Sequence, residues 1–350
     1  MKPKIRITSF LLALCLVVGL LPTTAFAVGT DTGKAIQLVD SGTAANISGG
    51  QADSIYFGTY QQSSNGNGGY HTDPIKWRVL NNADSKLFLL SDQNLDVFKY
   101  HEENESVTWK TSTMRSWLNG LAANQGSGDN AIDYASNNFL GNAFSPKEQT
   151  AIADTEVVND DNPRYRTDGG NNTTDKIFLL SIAEASNNAY FADNNSRIAT
   201  NTAYVADGGE IGTKKDMSGV GEANYWWPRS PGESVIRAAH VYEDGFVSPG
   251  GSYVVLANLA VRPAFNLDLN TVLFTSAAVG GKPDGGLTEV PEYTGNEWKL
   301  TLLDKSRNFA VTETTAGGNP GETITLNYTG ATTGENEYIS VIITDSSGNA

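Results

Sequence analysis

Alternation of apolar and polar residues predicts several strands in the first half of the chain. Residues 54–60, 75–80 and 86–91 each have the composition of a strand, and residues 75–80 place apolar side chains at every second position, which is the period of a half-buried strand. A turn at Asn81-Asn82 is expected to join the last two runs into a hairpin. Residues 175–181 repeat the apolar run of residues 86–91 and predict another core strand.

The spacing of apolar residues becomes helical over residues 108–119. Thr111 or Ser112 is expected to cap the amino end of this helix, and Asn119-Gly120 is expected to end it. The residues of its predicted buried face are Met114, Trp117 and Leu118.

Two further short helices are predicted from capping signals. Ser145 precedes Pro146, and Glu148 follows three residues after Ser145, which is the pattern of a capping box with proline in the first turn. A second short helix is expected over residues 182–186.

Strands and turns dominate the second half of the main domain. Residues 238–242, 253–256 and 260–265 alternate, and Asp244-Gly245 and Pro249-Gly250-Gly251 supply turn residues. The predicted fold class of this domain is therefore α+β, with strands and two or more short helices.

A glycine-rich linker over residues 276–292 leads to a different pattern. Four alternating runs follow in residues 293–350, and they predict part of an all-β, immunoglobulin-like unit. These runs are Glu297–Asp304, Phe309–Thr312, Glu322–Tyr328 and Tyr338–Thr344. We expect the chain to be part of a longer surface protein.

The amino-terminal residues 1–27 have the three parts of a secretory signal. A basic start, an apolar run and the Ala25-Phe26-Ala27 cleavage pattern occur in order. The apolar run is too short for a permanent membrane span, so we expect a secreted protein without membrane insertion after cleavage. A flexible leader over residues 28–50 and a main domain over residues 51–275 follow.

Composition narrows the possible partners and chemistry of the mature chain. The signal carries three of the 24 basic residues and none of the 39 acidic ones, which leaves a mature charge of −18. This charge argues against nucleic acid and anionic lipid as partners. The one cysteine, Cys15, lies in the signal, so the mature chain would have no thiol, disulfide or cysteine metal ligand.

Several segments, taken in order, resemble a bacterial domain family of unassigned function, the DUF6273 type, found in secreted proteins of gut Firmicutes. The resemblance covers residues 54–270. The matching segments are Ile55–Gly58, Ile75–Leu80, Thr108-Trp109, Arg115–Asn119, Ala143–Ser145, Asp175–Ser181, Trp226–Gly232 and Val261–Ala264. Pro228 and Ala260 depart from residues usual in the family.

The family resembles the C-type lectin-like fold, in the branch that contains formylglycine-generating enzymes and the variable proteins of diversity-generating retroelements. The resemblance implies a twisted mixed core with two helices and a long, loop-rich insertion. In lectin-like relatives the face that corresponds to residues 233–259 carries ligand contacts.

We therefore expect residues 233–259 to form a ligand-binding surface held between two framework motifs. Tyrosine, serine, asparagine and glycine are typical of adaptable contact surfaces. The exposed binding candidates are Arg237, His240, Tyr242, Glu243, Phe246, Tyr253 and Asn258. The framework candidates are Trp226, Trp227, Arg229, Arg262 and Pro263. The inward, purely structural set is Ala239, Val241, Val254 and Leu256.

The framework arginine Arg262 is expected to pair with a buried carboxylate or with backbone carbonyls. For Tyr242, Phe246 and Tyr253, recognition and ordinary packing are both open interpretations.

Enzymatic interpretations find little support in the residues. Formylglycine-generating chemistry needs thiols, which the mature chain lacks. A Ser-His-Asp hydrolase could draw on His71, His101 or His240, but none of them lies near a nucleophile-elbow motif. We expect His71 and His101 to be solvated in polar loops. Paired acidic residues are too numerous to point to a glycosidase.

Oxygen-rich loops leave calcium binding open, although none has the pattern of an EF-hand. Solvated acidic turns are the simpler interpretation, so no cofactor is predicted and Ca²⁺ stays an alternative. These loops are Asp92–Asp96, Asn159–Asp161, Asp168–Asp175 and Asp193–Asn195.

The sequence predicts a secreted or surface-attached, non-enzymatic binding or display module. Its expected ligand is a surface protein or a glycan. The alternatives are a structural spacer in a longer surface protein and, more distantly, a secreted hydrolase.

Overall fold

The computed structural model describes residues 53–121, 134–211, 217–278, 295–303, 308–312 and 325–331, together with Asn319 and Thr323. These residues form an α+β fold of β-sheets and short helices, as the sequence predicts. The predicted signal, the leader, most of the linker and the predicted strand Tyr338–Thr344 lie outside the described residues.

The strands are β1 Ser54–Ser64, β2 Tyr70–Ala83, β3 Lys86–Ser91, β4 Asp96–Val97, β5 Thr155–Val157, β6 Thr173–Asp175, β7 Arg237–Val241, β8 Val247–Tyr253, β9 Ala260–Val261, β10 Ala264–Asp268, β11 Val272–Ala277, β12 Glu297–Leu302, β13 Ala310–Val311 and β14 Tyr328–Thr329. The α-helices are α1 Thr113–Asn119, α2 Phe139–Ala143, α3 Pro146–Ala151, α4 Ile182–Ala185 and α5 Ala203–Ala206. Short 3₁₀ turns occur at Trp109–Thr111, Asn195–Arg197, Gly209–Ile211 and Leu269–Thr271.

A six-stranded sheet in the order β10-β3-β2-β1-β12-β11 is the largest described sheet. Strand β12 runs parallel to β1 and antiparallel to β11. The pattern of residues 297–304 correctly predicts a strand, and this strand lies between β1 and β11 in the main sheet. The assignment of residues 293–350 to a partial immunoglobulin-like unit stays a prediction. Alternation defines a strand but carries no information about the sheet that it joins.

The hairpin predicted from β2 and β3 is present, although its turn lies further along the chain than expected. Asn81 and Asn82 belong to β2 and pair with Phe88 and Leu87. Asp84 and Ser85 make the turn, with φ of 53° and 56°. Positive φ at both central residues gives a turn whose twist suits a two-residue hairpin.

The helices begin at the caps that the sequence indicates. The Ser112 side chain accepts a hydrogen bond from the Arg115 amide, and Gly120 ends α1 with φ of 65°. The Ser145 and Glu148 side chains form the reciprocal hydrogen bonds of a capping box at α3. Each cap satisfies amides that the first turn of a helix leaves unpaired.

The expected core strand over residues 175–181 is wrong for most of its length. Its apolar residues are buried, but only Phe178 makes a bridge, with Ala264. The side-chain oxygen of Asn119 accepts hydrogen bonds from the amides of Lys176 and Ile177. A side chain at the end of α1 therefore replaces the neighbouring strand for part of this segment.

Aromatic rings fill the space between the sheet and the helices. The Trp77 ring centroid lies 4.7 Å from that of Phe265 and 6.1 Å from that of Phe144. The Trp77 indole also donates a hydrogen bond to the Phe57 carbonyl at 2.7 Å. Burial of these rings supplies a large part of the apolar area removed from water.

Within the described part of the chain, no helix has the length and apolar character needed to cross a membrane.

Candidate functional site

Two adjacent tryptophans join the β7–β8 hairpin to the rest of the fold. The Trp226 backbone bridges Val241 of β7 on one side and Ala260 of β9 on the other. The indole nitrogens of Trp226 and Trp227 donate to the carbonyls of Arg197 and Phe98, at 3.3 Å and 3.1 Å. Both side chains are fully buried, so the segment is covered on both faces and supports β7 at Val241, next to the turn. These two tryptophans are the buried base on which the hairpin rests.

A buried arginine stabilises the same junction. The Arg262 guanidinium donates hydrogen bonds to the carbonyls of Ser91 and Arg197, at 3.0 Å and 2.8 Å. It also lies over the Trp226 ring, 5.3 Å from the ring centroid. Burial lowers the pKa of Arg262 to about 9, an effect that the neighbouring Arg78 increases. Backbone carbonyls, one of the two partner types expected from the sequence, thus hold this cation in place.

A second buried arginine links the segment after the tryptophans to helix α4. Arg229 forms an ion pair with Glu184 and donates to the carbonyls of Leu179 and Val158, at 2.7 Å and 2.9 Å. This fork-shaped side chain therefore connects three separate segments.

Glycines at two positions give the β7–β8 hairpin its shape. Gly245 makes the turn with φ of 79°, and a Cβ placed there would lie 1.8 Å from the Asn194 carbonyl oxygen. Gly251 has φ of 71°, and its Cβ would lie 2.1 Å from the Ala238 oxygen. The second glycine accompanies a register shift between Ala238 and His240, which is typical of a β-bulge. The turn expected at residues 249–251 is therefore wrong, because these residues lie within β8.

His240, expected as an exposed ligand contact, is buried with 5% of its surface exposed. Its ring stacks on Tyr225 at 5.6 Å and meets the edge of Tyr242 at 4.4 Å between centroids. Nδ1 lies 2.9 Å from the Ser252 hydroxyl, whereas Nε2 is buried with no hydrogen-bond partner among the described residues. Burial, and then the charge of Arg237, lowers the pKa of His240 to about 4.

The exposed end of this aromatic cluster is Phe246, with 51% of its surface accessible. Its ring lies 6.2 Å from that of Tyr242, which is half-buried. Glu243 is exposed beside the turn. Phe246 is thus an apolar side chain in water at the tip of a hairpin whose base is fixed.

Tyr253 provides a second exposed ring at the opposite end of the hairpin. It is 43% exposed, and the Arg237 guanidinium lies 4.2 Å from its ring centroid. Arg237 also donates to the Gly251 carbonyl at 3.1 Å and lies 3.4 Å from a Glu233 oxygen. These contacts hold the cation and the ring in one orientation.

Several residues of segment 233–259 besides His240 differ from the expected exposure, and among them Arg237 and Tyr242 are half-buried rather than exposed. Leu256, expected to face inward, is exposed, while Ala239, Val241 and Val254 are buried as expected. Asn258 is half-buried, with its side-chain oxygen shielded from solvent and without a hydrogen-bond partner among the described residues.

His101 also departs from the expected solvated position. It is 2% exposed, with Nδ1 3.0 Å from the Thr113 hydroxyl and Nε2 3.3 Å from a Glu105 oxygen. The Thr113 hydroxyl accepts from the Glu102 amide. Histidine, hydroxyl and carboxylate thus meet at the start of α1, where they fasten the preceding loop to the helix.

The acidic loops use their carboxylates for internal contacts. Buried Asp175 accepts hydrogen bonds from the Trp109 indole and the Arg115 guanidinium. Asp96 accepts from the Tyr60 hydroxyl and the Glu210 amide, and burial raises the pKa of Asp96 to about 7 against these hydrogen bonds. In the described ranges, no three His, Cys, Asp or Glu side chains form a group suited to a metal ion.

Sequence reasoning missed the loop of residues 163–166, which lies against the hairpin. The Asn162 amide group donates to the carbonyls of Pro231, Gly232 and Pro249, at 2.8, 3.1 and 2.8 Å. This contact brings the exposed Tyr165 to the hairpin surface. The available signal in the sequence was Tyr165, which follows a proline and lies between two arginines. This local pattern does not predict that the tyrosine contacts the distant β7–β8 hairpin.

Comparison with known proteins gives one match. The sequence model of the family described as "Domain of unknown function (DUF6273)" matches residues 80–269. No curated protein and no solved structure matches the chain. Because the match covers more than half of the sequence, the chain belongs to the DUF6273 family.

Proposed function

We propose that the chain is a secreted, non-enzymatic module that binds a surface protein or a glycan through the β7–β8 hairpin. The observation that carries the proposal is the position of Phe246 and Tyr253, exposed at opposite ends of a hairpin whose base is buried. Exposed aromatic rings on a rigid support offer contact area at low cost in conformational entropy.

Secretion rests on the signal pattern of residues 1–27. A C-type lectin-like fold is part of the same proposal and rests on the order of the sequence motifs. In such a fold a loop-rich insertion presents the ligand surface, and here the hairpin and the loop of residues 163–166 would play that part. The charge of the chain fits an extracellular module better than one that binds nucleic acid.

The surroundings of two of the three histidines support the non-enzymatic part of this proposal, while His71 is exposed within β2. His101 and His240 are 2% and 5% exposed, and both are packed against other side chains. A general base must reach its substrate within hydrogen-bond distance, so these positions favour structural roles. Turnover of polysaccharide or peptide libraries by the purified chain would overturn this part of the proposal.

The test is binding of the full chain to glycan and protein arrays, with a triple variant in which Tyr242, Phe246 and Tyr253 are replaced by alanine. The matched control is Tyr328→Ala, which removes an exposed tyrosine from β14 (52% exposed). Circular dichroism and thermal unfolding verify the fold of each variant.

We expect the wild type and the control to retain at least one array ligand and the triple variant to lose it with its fold intact. No ligand for the wild type, or equal binding by the triple variant, would reject the proposal and favour a structural spacer.

A further inference from the structure

The strongest feature outside the aromatic cluster is a surface that joins two exposed tyrosines from different parts of the chain. Tyr165 is 39% exposed and Tyr253 is 43% exposed. Each has a guanidinium over its ring, Arg164 at 5.3 Å and Arg237 at 4.2 Å from the centroid. Two aromatic rings, each backed by a cation, therefore reach solvent at this part of the molecule.

A continuous path of contacts connects the rings. A Cβ placed on Gly250 would lie 3.7 Å from the Tyr165 hydroxyl and 3.9 Å from a Glu233 oxygen. The other Glu233 oxygen lies 3.4 Å from Arg237 Nε, and Arg237 covers Tyr253. The two rings thus flank a strip whose centre, the half-buried Gly250, carries no side chain.

This strip combines an even surface with fixed polar groups. The Glu233 carboxylate supplies acceptors, the Arg237 guanidinium supplies donors, and the Tyr165 hydroxyl supplies both. The hydrogen bond from Arg237 to the Gly251 carbonyl holds the donors in place before a ligand arrives. A ligand that fits must offer apolar faces to the rings and many hydroxyl groups to the polar side chains.

The charges of this surface are mixed, which favours a neutral ligand. The exposed or half-buried cations are Arg164, Arg166 and Arg237, and the exposed carboxylates nearby in sequence are Asp160, Asp161, Asp168 and Glu233. The Asp161 and Asp168 side chains accept hydrogen bonds from the amides of Gly169 and Gly170. A strongly charged ligand would meet like charges on this surface whatever its sign.

We propose that Tyr165 and Tyr253 form a platform for a neutral polysaccharide, whose sugar rings stack on the tyrosines across the glycine strip. This inference rests on the proposed binding function and names its ligand class. A pyranose has an apolar C–H face and hydroxyl groups around its edge, which matches rings flanked by a carboxylate and a guanidinium. A protein partner would need a pocket for an anchor side chain, and the glycine strip offers none.

The test is affinity electrophoresis of the full chain through native gels that contain soluble starch, galactomannan, xyloglucan or hydroxyethylcellulose. The acidic chain migrates towards the anode, and binding to a polysaccharide slows it. The variants are Tyr165→Ala, Tyr253→Ala and Gly250→Val, with Tyr328→Ala as the control. Gly250 has ordinary extended backbone within β8 and room for a Cβ, so valine would fill the strip without disturbing the hairpin.

We expect at least one polysaccharide to slow the wild type and the control equally. Each of the other variants should bind about tenfold more weakly, which corresponds to about 1.4 kcal/mol, because the two alanine variants lose a stacked ring and Gly250→Val blocks the strip between the rings. The unfolding temperature of Gly250→Val reports whether its loss of binding is steric.

Three results overturn the inference in different ways. If no polysaccharide slows the wild type while array binding to a protein is lost in the triple variant, the platform is not a saccharide site, although the hairpin still binds a ligand. If a polysaccharide binds Tyr165→Ala and wild type equally, the saccharide lies elsewhere. If neither arrays nor gels reveal any ligand, both proposals fail together.

Discussion

The two aromatic motifs around the hairpin differ in what their rings contact. Trp226 and Trp227 are fully buried at its base, whereas Phe246 and Tyr253 are about half exposed at its ends. The base has hydrogen-bonded indoles and buried arginines, while the ends have rings that meet water. Similar residue types thus pack into the core in one region and are exposed to solvent in the other.

The base of the hairpin offers the largest expected effect. Trp227→Ala removes a buried ring and leaves the Phe98 carbonyl without its indole donor, so we expect the free energy of unfolding to fall by about 3–5 kcal/mol. Urea denaturation measures this change. A fall below about 1 kcal/mol would show that the ring does not stabilise the junction.

The turn of the hairpin is expected to be almost as sensitive. Gly245→Ala places a Cβ on a residue with φ of 79°, 1.8 Å from a backbone oxygen. We expect the free energy of unfolding to fall by about 2–4 kcal/mol. Gly66 is a matched control, because it has φ of 76° and nothing within 4 Å of its Cβ. Gly66→Ala should cost about 1 kcal/mol, and equal losses for the two variants would contradict the close contact.

Between base and ends, His240 should make stability depend on pH. Its pKa of about 4 lies below the ordinary value of 6.5, so the unfolded chain binds more protons between these two values. The contribution of His240 is therefore complete above pH 6.5 and is lost as pH falls through 4. We expect the difference in unfolding free energy between wild type and His240→Gln to shrink by about 3 kcal/mol from pH 7 to pH 4.

The opposite pH dependence of Asp96 does not disturb this comparison. Burial raises its pKa to about 7, so its contribution to stability falls as pH rises from about 4 to 7. Because wild type and His240→Gln share Asp96, the effect cancels in their difference. A difference that stays constant over this range would contradict the neutral, buried histidine.

The ends of the hairpin should show the smallest effect on stability. Phe246→Ala removes a ring that already contacts water, and we expect the free energy of unfolding to change by less than about 0.5 kcal/mol. A loss above about 1.5 kcal/mol, measured by the same urea titration, would mean that Phe246 belongs to the core.

Local structure could be predicted from sequence where local chemistry determines it. The caps at Ser112 and Ser145 and the stop at Gly120 follow from hydrogen bonds within four residues. The hairpin of β2 and β3 follows from alternation, although the pattern did not locate its turn at Asp84 and Ser85.

Long-range structure could not be predicted in the same way. The place of β12 beside β1 depends on a contact across more than 240 residues, and the amides of Lys176 and Ile177 bond to the distant Asn119. A strand pattern is compatible with several partners, and the choice between them depends on packing.

The candidate site shows the same division. The exposure of Phe246 and Tyr253 agrees with the prediction, but His240 is buried because Ala238–Val241 is covered on both faces. Tyr165 reaches the hairpin through the tertiary contacts of its neighbours Asn162 and Thr167. Alternation describes one strand, whereas burial depends on every element packed against it.

The most direct test of the account compares alanine variants of the neighbours Tyr253 and Val254. Tyr253 is exposed and Val254 is fully buried. Titration of each variant with a ligand that the wild type binds on the arrays measures binding, and urea denaturation measures stability. We predict that Tyr253→Ala loses binding with less than about 1 kcal/mol of stability, and that Val254→Ala loses about 1–3 kcal/mol and keeps binding. The division between a buried base and a recognition surface would be contradicted if Tyr253→Ala retained binding. It would also be contradicted if the two variants lost the same amount of binding and of unfolding free energy.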